Sequence, residues 1–152
     1  MSRQDDALFE NVPRKPLAIP IARSRLLHAL ADELTADSEK DAGKRVVELS
    51  NLGTCTDDEL KPLVPIILPG CKISIRDGFA HGGSPMTGRT YRLFSIPSAA
   101  LTVFNMINGT NNIEQISQRL AQETGWTEDR SLAYTRGVFL ALVGAGLCIP
   151  RE

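Results

Sequence analysis

Histidine and cysteine are the first residues to consider for chemistry, because their side chains act as bases, nucleophiles and metal ligands. The chain has two histidines, His28 and His81, and three cysteines, Cys55, Cys71 and Cys148. The cysteine count is odd and no Cys-x-x-Cys pair occurs, which argues against a disulfide framework and a zinc site. We therefore expect small, buried or half-buried thiols in a reducing cytoplasm.

A second candidate for chemistry is the run His81-Gly82-Gly83-Ser84, whose composition is that of an oxyanion-hole loop in some esterases. No Gly-x-Ser-x-Gly nucleophile elbow follows, and two histidines give no serine–histidine–acid arrangement. Residues 80–88 are rich in glycine and proline, so we predict a hairpin loop there, with a short strand at its start as the alternative. The sequence also lacks a phosphate-binding loop, a dinucleotide fingerprint and a metal-ligand set. It therefore predicts no enzyme activity, no cofactor and no metal.

Charge and hydropathy narrow the class further. The formal net charge of the 152 residues is −1, which gives no global attraction to nucleic acid or anionic lipid. No apolar run approaches the ~20 residues of a membrane helix, and the polar N-terminus has no secretory segment. With 42% apolar residues, the chain is expected to form one compact cytoplasmic domain with an extension.

The N-terminal part of the chain is predicted to be this extension. Residues 1–20 contain three prolines and little periodicity, which indicates a flexible or extended arm. Residues 21–64 are predicted to be a helical extension, because Arg23–Leu34 places four leucines on one helix face and Lys44–Ser50 forms a second helical stretch. Thr56–Glu59 is a capping box at the start of a further short helix.

The C-terminal part, residues 65–152, is predicted to begin with strands and end with helices. Residues 71–79 and 89–96 alternate as strands. A helix is expected from Ser98, with Leu101, Phe104 and Ile107 or Met106 on its core face, and a second one from Thr110 to Gly125. The third helix is expected from a Thr127 cap to about residue 144, followed by an extended tail over 147–150. Strands followed by three short helices are the layout of a winged-helix-like α+β domain.

The last predicted helix is apolar on more than one face, which is typical of a helix buried on more than one side. Gly137 lies inside it at a cost of about 1 kcal/mol relative to alanine, and a small residue lets another backbone approach closely. The helix therefore either packs against the protein's own sheet or N-terminal helix, or forms one wall of a peptide groove.

The strand over 89–96 is the candidate for the opposite wall. It has bulky apolar groups on both faces, so it is covered on both sides or awaits a partner. If it is a sheet edge, its N–H and C=O groups are a template for an incoming strand. Arg89 and Arg92 would then attract acidic side chains, unless they are ordinary solvated surface charges.

A winged-helix DNA-binding regulator is the alternative function, with residues 127–137 beginning a recognition helix. The carboxylates of Glu128 and Asp129 in its first turn would be repelled by the DNA phosphates. Lysine is absent from residue 73 onward and arginine is sparse. A third hypothesis is a small accessory subunit that stabilises an enzyme through the N-terminal helices.

Five features follow one another in the C-terminal part of the chain. They are a strand with a leucine (Leu93 with Ser95), a helix of small residues (Ala99 to Ile107), an Asn-Gly turn (Asn108-Gly109), an amphipathic helix (Ile113 to Leu120) and a Leu-x-x-x-Gly-Leu ending (Leu142 to Leu147). Their order resembles the PqqD-like family. This family is the peptide-chaperone domain of pyrroloquinoline quinone biosynthesis, also called the RiPP precursor recognition element. The resemblance covers about residues 68–150, and the family's second strand falls in the glycine-rich residues 80–88.

The resemblance implies a three-stranded sheet packed on three helices, with a leader peptide bound as an added strand between the third strand and the third helix. It implies a non-catalytic adaptor that presents a precursor peptide to the modifying enzyme of the same pathway, with residues 65–152 as the peptide-binding domain. The N-terminal helices could cover the sheet, form a homodimer or dock the enzyme. The peptide-binding residues expected from the strand and the helix are Arg89, Thr90, Tyr91, Arg92, Leu93, Phe94, Arg130, Tyr134, Gly137, Val138 and Ala141.

Overall fold

The computed structural model describes residues 8–19 and 48–151. Within them the chain is a mixed α+β fold with two small antiparallel sheets. The predicted helix over Arg23–Leu34, and most of the stretch Lys44–Ser50, lie outside the described residues. No helix in the described ranges has the length and apolar character needed to cross a membrane.

Between residues 65 and 144 the strands precede the helices, as the sequence predicts. The strands are β1 (Pro65–Ile67), β2 (Lys72–Arg76), β3 (Phe79–Gly83), β4 (Thr90–Ser95) and β5 (Cys148–Pro150). The helices are α1 (Asp57–Leu60), α2 (Ala99–Asn105), α3 (Ile113–Thr124) and α4 (Glu128–Gly144). A 3-10 helix spans Leu52–Thr54, and residues 8–10 and 48–51 are also helical.

The larger sheet has the strand order β2-β3-β4, and β1 pairs with β5 in the smaller one. The extended tail predicted over 147–150 is therefore a strand, and its Cys148 lies opposite Ile67. β2 is an outer strand whose five residues are all exposed, including Ile73 at 43% and Ile75 at 67%. β4 is the other outer strand, and it ends next to α2.

The short strand considered at the start of residues 80–88 is present, because residues 80–83 belong to β3, and the loop is confined to the residues after them. Gly82 lies opposite Tyr91 of β4 in the ladder. A Cβ at this glycine would lie 2.7 Å from Leu147 Cδ1 and 3.1 Å from Leu93 Cδ1. The glycine thus allows two leucine side chains to cover the strand, and its place in the sequence does not reveal them. The turn follows at residues 85–87, where Ser84 Oγ accepts from Met86 N–H and donates to the Gly146 carbonyl.

We expect Gly82→Val to lower the free energy of unfolding by about 1–3 kcal/mol, because the valine must push aside both leucines. Gly83→Val is the matched control, since a Cβ at Gly83 meets Lys72 and Thr90 at an ordinary 3.6 Å. Urea denaturation of the two variants measures the difference. Equal stabilities would show that the leucines over Gly82 can move away freely.

The helix ends follow local capping chemistry. At α1, the predicted capping box is confirmed, because Thr56 Oγ1 accepts from Glu59 N–H and Glu59 Oε1 accepts from Thr56 N–H. α3 begins at Ile113 and not at Thr110, because Asn112 forms the capping box with Gln115. Gly125 ends α3 in the left-handed region with φ of 77°, as predicted.

The core face predicted for α2 is wrong in part. Its buried residues are Ala99, Ala100 and Val103, whereas Leu101 and Phe104 are only half-buried. Ser98 occupies the N-cap position, but its side chain makes no capping hydrogen bond. The small residues at the start of α2 are buried because the helix packs closely on its neighbours, so the larger side chains lie at the margin of the core.

α4 runs through the centre of the described fold, and its predicted burial on more than one side is confirmed. It begins at a Thr127 cap, whose Oγ1 accepts from Arg130 N–H. From Tyr134 to Leu140 every residue is buried. α4 is surrounded by helices α2 and α3, strand β5 and the N-terminal residues. Because it is packed on several sides, α4 holds its side chains in fixed positions.

Candidate functional site: the cleft between β4 and α4

β4 is an open sheet edge in the part of the chain that the structure describes. Its strand neighbour there is β3, and the antiparallel register pairs Thr90 with Gly83 and Ser95 with Phe79. The ladder shifts at Ala80 and His81, so Leu93 has no partner in the register. Such a bulge bends and twists a strand. The outer side of β4 therefore carries main-chain groups that no described strand pairs with.

A cleft of about 140 Å³ lies between β4 and α4. An apolar cavity of about 150 Å³ is large enough for a benzene ring, so this cleft has room for one aromatic or branched side chain. The residues that line it come from β4, α4 and the N-terminus: Tyr91, Arg92, Leu93, Phe94, Val138, Ala141, Leu142, Ala145 and Phe9.

The cleft has an apolar floor and a polar rim. Phe94, Val138 and Leu142 are buried, whereas Ala141 is exposed at the mouth. The Arg92 guanidinium lies over the Phe79 ring, 4.6 Å from its centroid, and the residue is exposed. An apolar pocket next to an exposed guanidinium can hold an apolar side chain and attract a neighbouring carboxylate.

Residues 8–12, called here the N-terminal segment, lie along α4 next to this cleft. The Phe9 ring is 8% exposed and packs edge-on against Tyr134, with 5.5 Å between the ring centroids. A Cβ at Gly137 would overlap the backbone carbonyl of Phe9. The glycine inside α4 is therefore explained by the close approach of another backbone, and that backbone is the protein's own.

Polar contacts hold the N-terminal segment on the same helix. The Glu10 carboxylate oxygen Oε1 lies 2.6 Å from Arg130 Nε. Arg136 Nη2 donates to the Val12 carbonyl oxygen at 2.7 Å. Burial lowers the pKa of Arg136, with a further lowering from the nearby charge of Arg14. The Arg130 guanidinium also stacks on Trp126, 3.8 Å from the ring centroid.

The structure divides the predicted site residues into three groups. Those that line the cleft are Tyr91, Arg92, Leu93, Phe94, Val138 and Ala141. Those that lie on α4 but contact the N-terminal segment are Arg130, Tyr134 and Gly137. Arg89 and Thr90 are exposed just before the cleft and at the start of β4, and they do not contribute to its lining.

Sequence reasoning missed Phe9, Leu142, Ala145 and the buried Arg136. Phe9 is an aromatic residue in an otherwise polar N-terminal stretch, which is a weak signal for an anchor. Arg136 lies 124 residues from the Val12 carbonyl that it binds, and no local pattern connects the two. Gly137 was the one sequence signal for a close contact on this face.

The three thiols first considered for chemistry are at least partly buried, and Cys71 lies near enough to Cys148 to affect its pKa. Burial raises the pKa of the Cys71 thiol to about 11, and it raises the pKa values of Cys55 and Cys148 as well. These thiols are therefore less reactive than a free cysteine at neutral pH. His81 lies in β3 with Nδ1 3.2 Å from the Phe79 carbonyl oxygen, and His28 is outside the described residues.

The cleft thus combines one apolar pocket, an arginine at its rim and a strand edge that is unpaired by any strand of the described ranges. In the described ranges no three His, Cys, Asp or Glu side chains are grouped so as to hold a metal ion. No family model, no curated protein and no solved structure matches the chain.

Proposed function

We propose that the protein is a non-catalytic adaptor that binds the leader of a ribosomally synthesised precursor peptide and presents it to a modifying enzyme. The single observation that carries the proposal is the outer edge of β4, which no strand of residues 8–19 or 48–151 covers, beside an apolar cleft on α4. The leader would add as a strand along residues 90–94, and one of its apolar side chains would fill the cleft.

Strand addition suits this geometry for physical reasons. Main-chain hydrogen bonds along β4 would supply affinity that depends little on the peptide sequence. Side chains of an added strand alternate between two sides, so one set would point into the cleft and the other away from it. Sequence selectivity would then come from the fit of one side chain between Leu93 and Val138 and from the charge of Arg92.

The order of elements supports the winged-helix-like, PqqD-like architecture. Three antiparallel strands, β2, β3 and β4, precede three helices, α2, α3 and α4. The second strand, which the glycine-rich sequence obscures, is present as β3. The proposed peptide site lies between the third strand of that sheet and the third of those helices, where the family resemblance places it.

DNA binding is less well supported by the same residues. Arg130 lies against Glu10 and stacks on Trp126, and Arg136 is buried against Val12. Arg130 is thus already paired with a carboxylate, Arg136 is buried, and the exposed acids Glu128 and Asp129 occupy the first turn of α4. Binding of duplex DNA depends mainly on cationic contacts with phosphates.

Fluorescence anisotropy with labelled leader segments, taken from short open reading frames beside the gene, tests the proposal. A duplex DNA at two salt concentrations is the control. Selective peptide binding without a DNA response is the expected result. Failure of every peptide, together with DNA binding that weakens steeply with salt, would reverse the assignment in favour of the regulator.

The arginines near the cleft give a more specific prediction. We expect Arg92→Glu to weaken the binding of an acidic leader roughly fivefold, and the loss to shrink at high salt, because rim charges act mainly through screened attraction. Arg119→Glu is the control, since Arg119 is an exposed arginine on α3 outside the cleft. Titration of both variants at two salt concentrations measures the effect. Equal losses in the two variants would mean that only net charge matters.

A further inference from the structure

The N-terminal segment lies on the half of the α4 wall that the open cleft does not use. It contacts Arg130, Tyr134 and Gly137, and its Phe9 is one of the residues that line the cleft. We propose that this segment is an intramolecular occupant of the peptide-binding site, which a partner peptide must displace to contact the whole of α4. The inference rests on the proposed function, because it concerns access to the same cleft.

The contacts of the segment are those expected of a bound peptide. An aromatic side chain, Phe9, is buried against Tyr134, and the following carboxylate, Glu10, lies 2.6 Å from an arginine nitrogen. A main-chain carbonyl, that of Val12, accepts a hydrogen bond from Arg136 at 2.7 Å. The segment therefore indicates the chemical class of the competing ligand: a peptide with an aromatic residue followed by an acidic one.

The segment also has properties of an element whose release from α4 requires little free energy. The ion pair between Glu10 and Arg130 has side chains that are 23% and 43% exposed, and such pairs are weak. The segment's buried contacts are those of the Phe9 ring and the Val12 carbonyl, and local opening of such a segment requires less free energy than global unfolding.

The residues that follow hold the segment near the site after it has left. The Arg14 guanidinium lies 2.7 Å from Asp57, and Leu17 N–H donates to the Ser50 carbonyl. These contacts lie on the 3-10 and α1 side of the fold, away from the cleft lining. Release of residues 8–12 therefore does not require the release of residues 13–19.

The test supplies the segment in trans. A labelled peptide with the sequence of residues 8–14, LFENVPR, is titrated against the wild-type full chain and against the double variant Phe9→Ala with Glu10→Arg. We expect the double variant to bind the peptide about tenfold more tightly, because its own segment no longer occupies the site. A peptide with the same two substitutions is the control, and it should not distinguish the proteins.

Each outcome decides the question. Equal affinity of LFENVPR for the two folded proteins, or binding to neither, overturns the inference. If circular dichroism shows that the double variant does not fold, Glu10→Arg alone decides, with an expected gain of about threefold from the lost ion pair. The gain must be absent for the substituted peptide, because a general loosening of the fold would affect both peptides.

Precursor leaders separate this inference from the adaptor proposal. If leaders bind the wild type and the double variant equally well, the adaptor proposal stands and the segment is not a competitor. If LFENVPR shows the expected gain but no leader binds, the segment occupies a docking site and the adaptor proposal fails.

Discussion

Replacing Gly137 with alanine is expected to detach the N-terminal segment from α4. The new methyl group would overlap the Phe9 carbonyl, and a backbone cannot be bent aside as a flexible side chain can. Loss of the buried Phe9 ring removes about 1.5–3 kcal/mol of local stability, while the alanine returns about 1 kcal/mol through its helix propensity. Hydrogen exchange of the amides of residues 9–12 measures the detachment directly, and these amides should lose their protection.

Gly144→Ala is the matched control for this substitution. It is the same change in the same helix, and a Cβ at Gly144 would meet no atom within 4 Å. We expect this variant to be unchanged or stabilised by up to about 1 kcal/mol, with residues 9–12 still protected. If Gly137→Ala also left that protection intact, α4 would be the element that moves, and the segment would be held more firmly than its contacts indicate.

Replacing Ala141 with phenylalanine is expected to abolish most peptide binding. Ala141 is exposed at the mouth of a cleft of only about 140 Å³, so an aromatic ring there would fill the space that a peptide side chain needs. We expect the affinity for a leader peptide to fall by at least about tenfold, which corresponds to 1.4 kcal/mol. Stability should change by less than about 0.5 kcal/mol, because the altered residue lies on the surface.

The control for this prediction is Ala133→Phe, the same change eight residues earlier in α4. Ala133 does not line the cleft, so the variant should keep the wild-type affinity. Anisotropy titrations of both variants, with circular dichroism to verify folding, make the comparison. Wild-type affinity in Ala141→Phe would place the peptide site away from the cleft, even if peptide binding itself were confirmed.

The elements that could be predicted are those with a local signal. The helical periodicity of α3, the glycine at its end and the alternation of β4 are all patterns of neighbouring residues in the sequence. The all-round burial of α4 was predicted because its apolar residues cover several faces. These features depend on neighbours in the sequence, and the structure places them within a few residues of the expectation.

What could not be predicted depends on contacts between distant residues. β3 has a glycine at position 82 because the Leu147 side chain covers it, and no pattern within residues 79–83 predicts this contact. Gly137 signalled a close backbone approach, yet only the folded chain shows that Phe9 makes it. The cleft likewise depends on the gap that β4 and α4 leave between them, which is a matter of packing and not of composition.

The charges on the outer strand β2 oppose its pairing with the same strand of a second copy. If β2 paired with β2 of a second copy in antiparallel register about Ser74, Lys72 of each chain would lie opposite Arg76 of the other. Like charges directly opposite each other destabilise a strand pair, and charged side chains are a common protection of sheet edges. Although Ile73 and Ile75 are exposed, aggregation through β2 is thus opposed by two cation–cation contacts per pair. At high ionic strength this protection should weaken, and self-association through β2 should become easier.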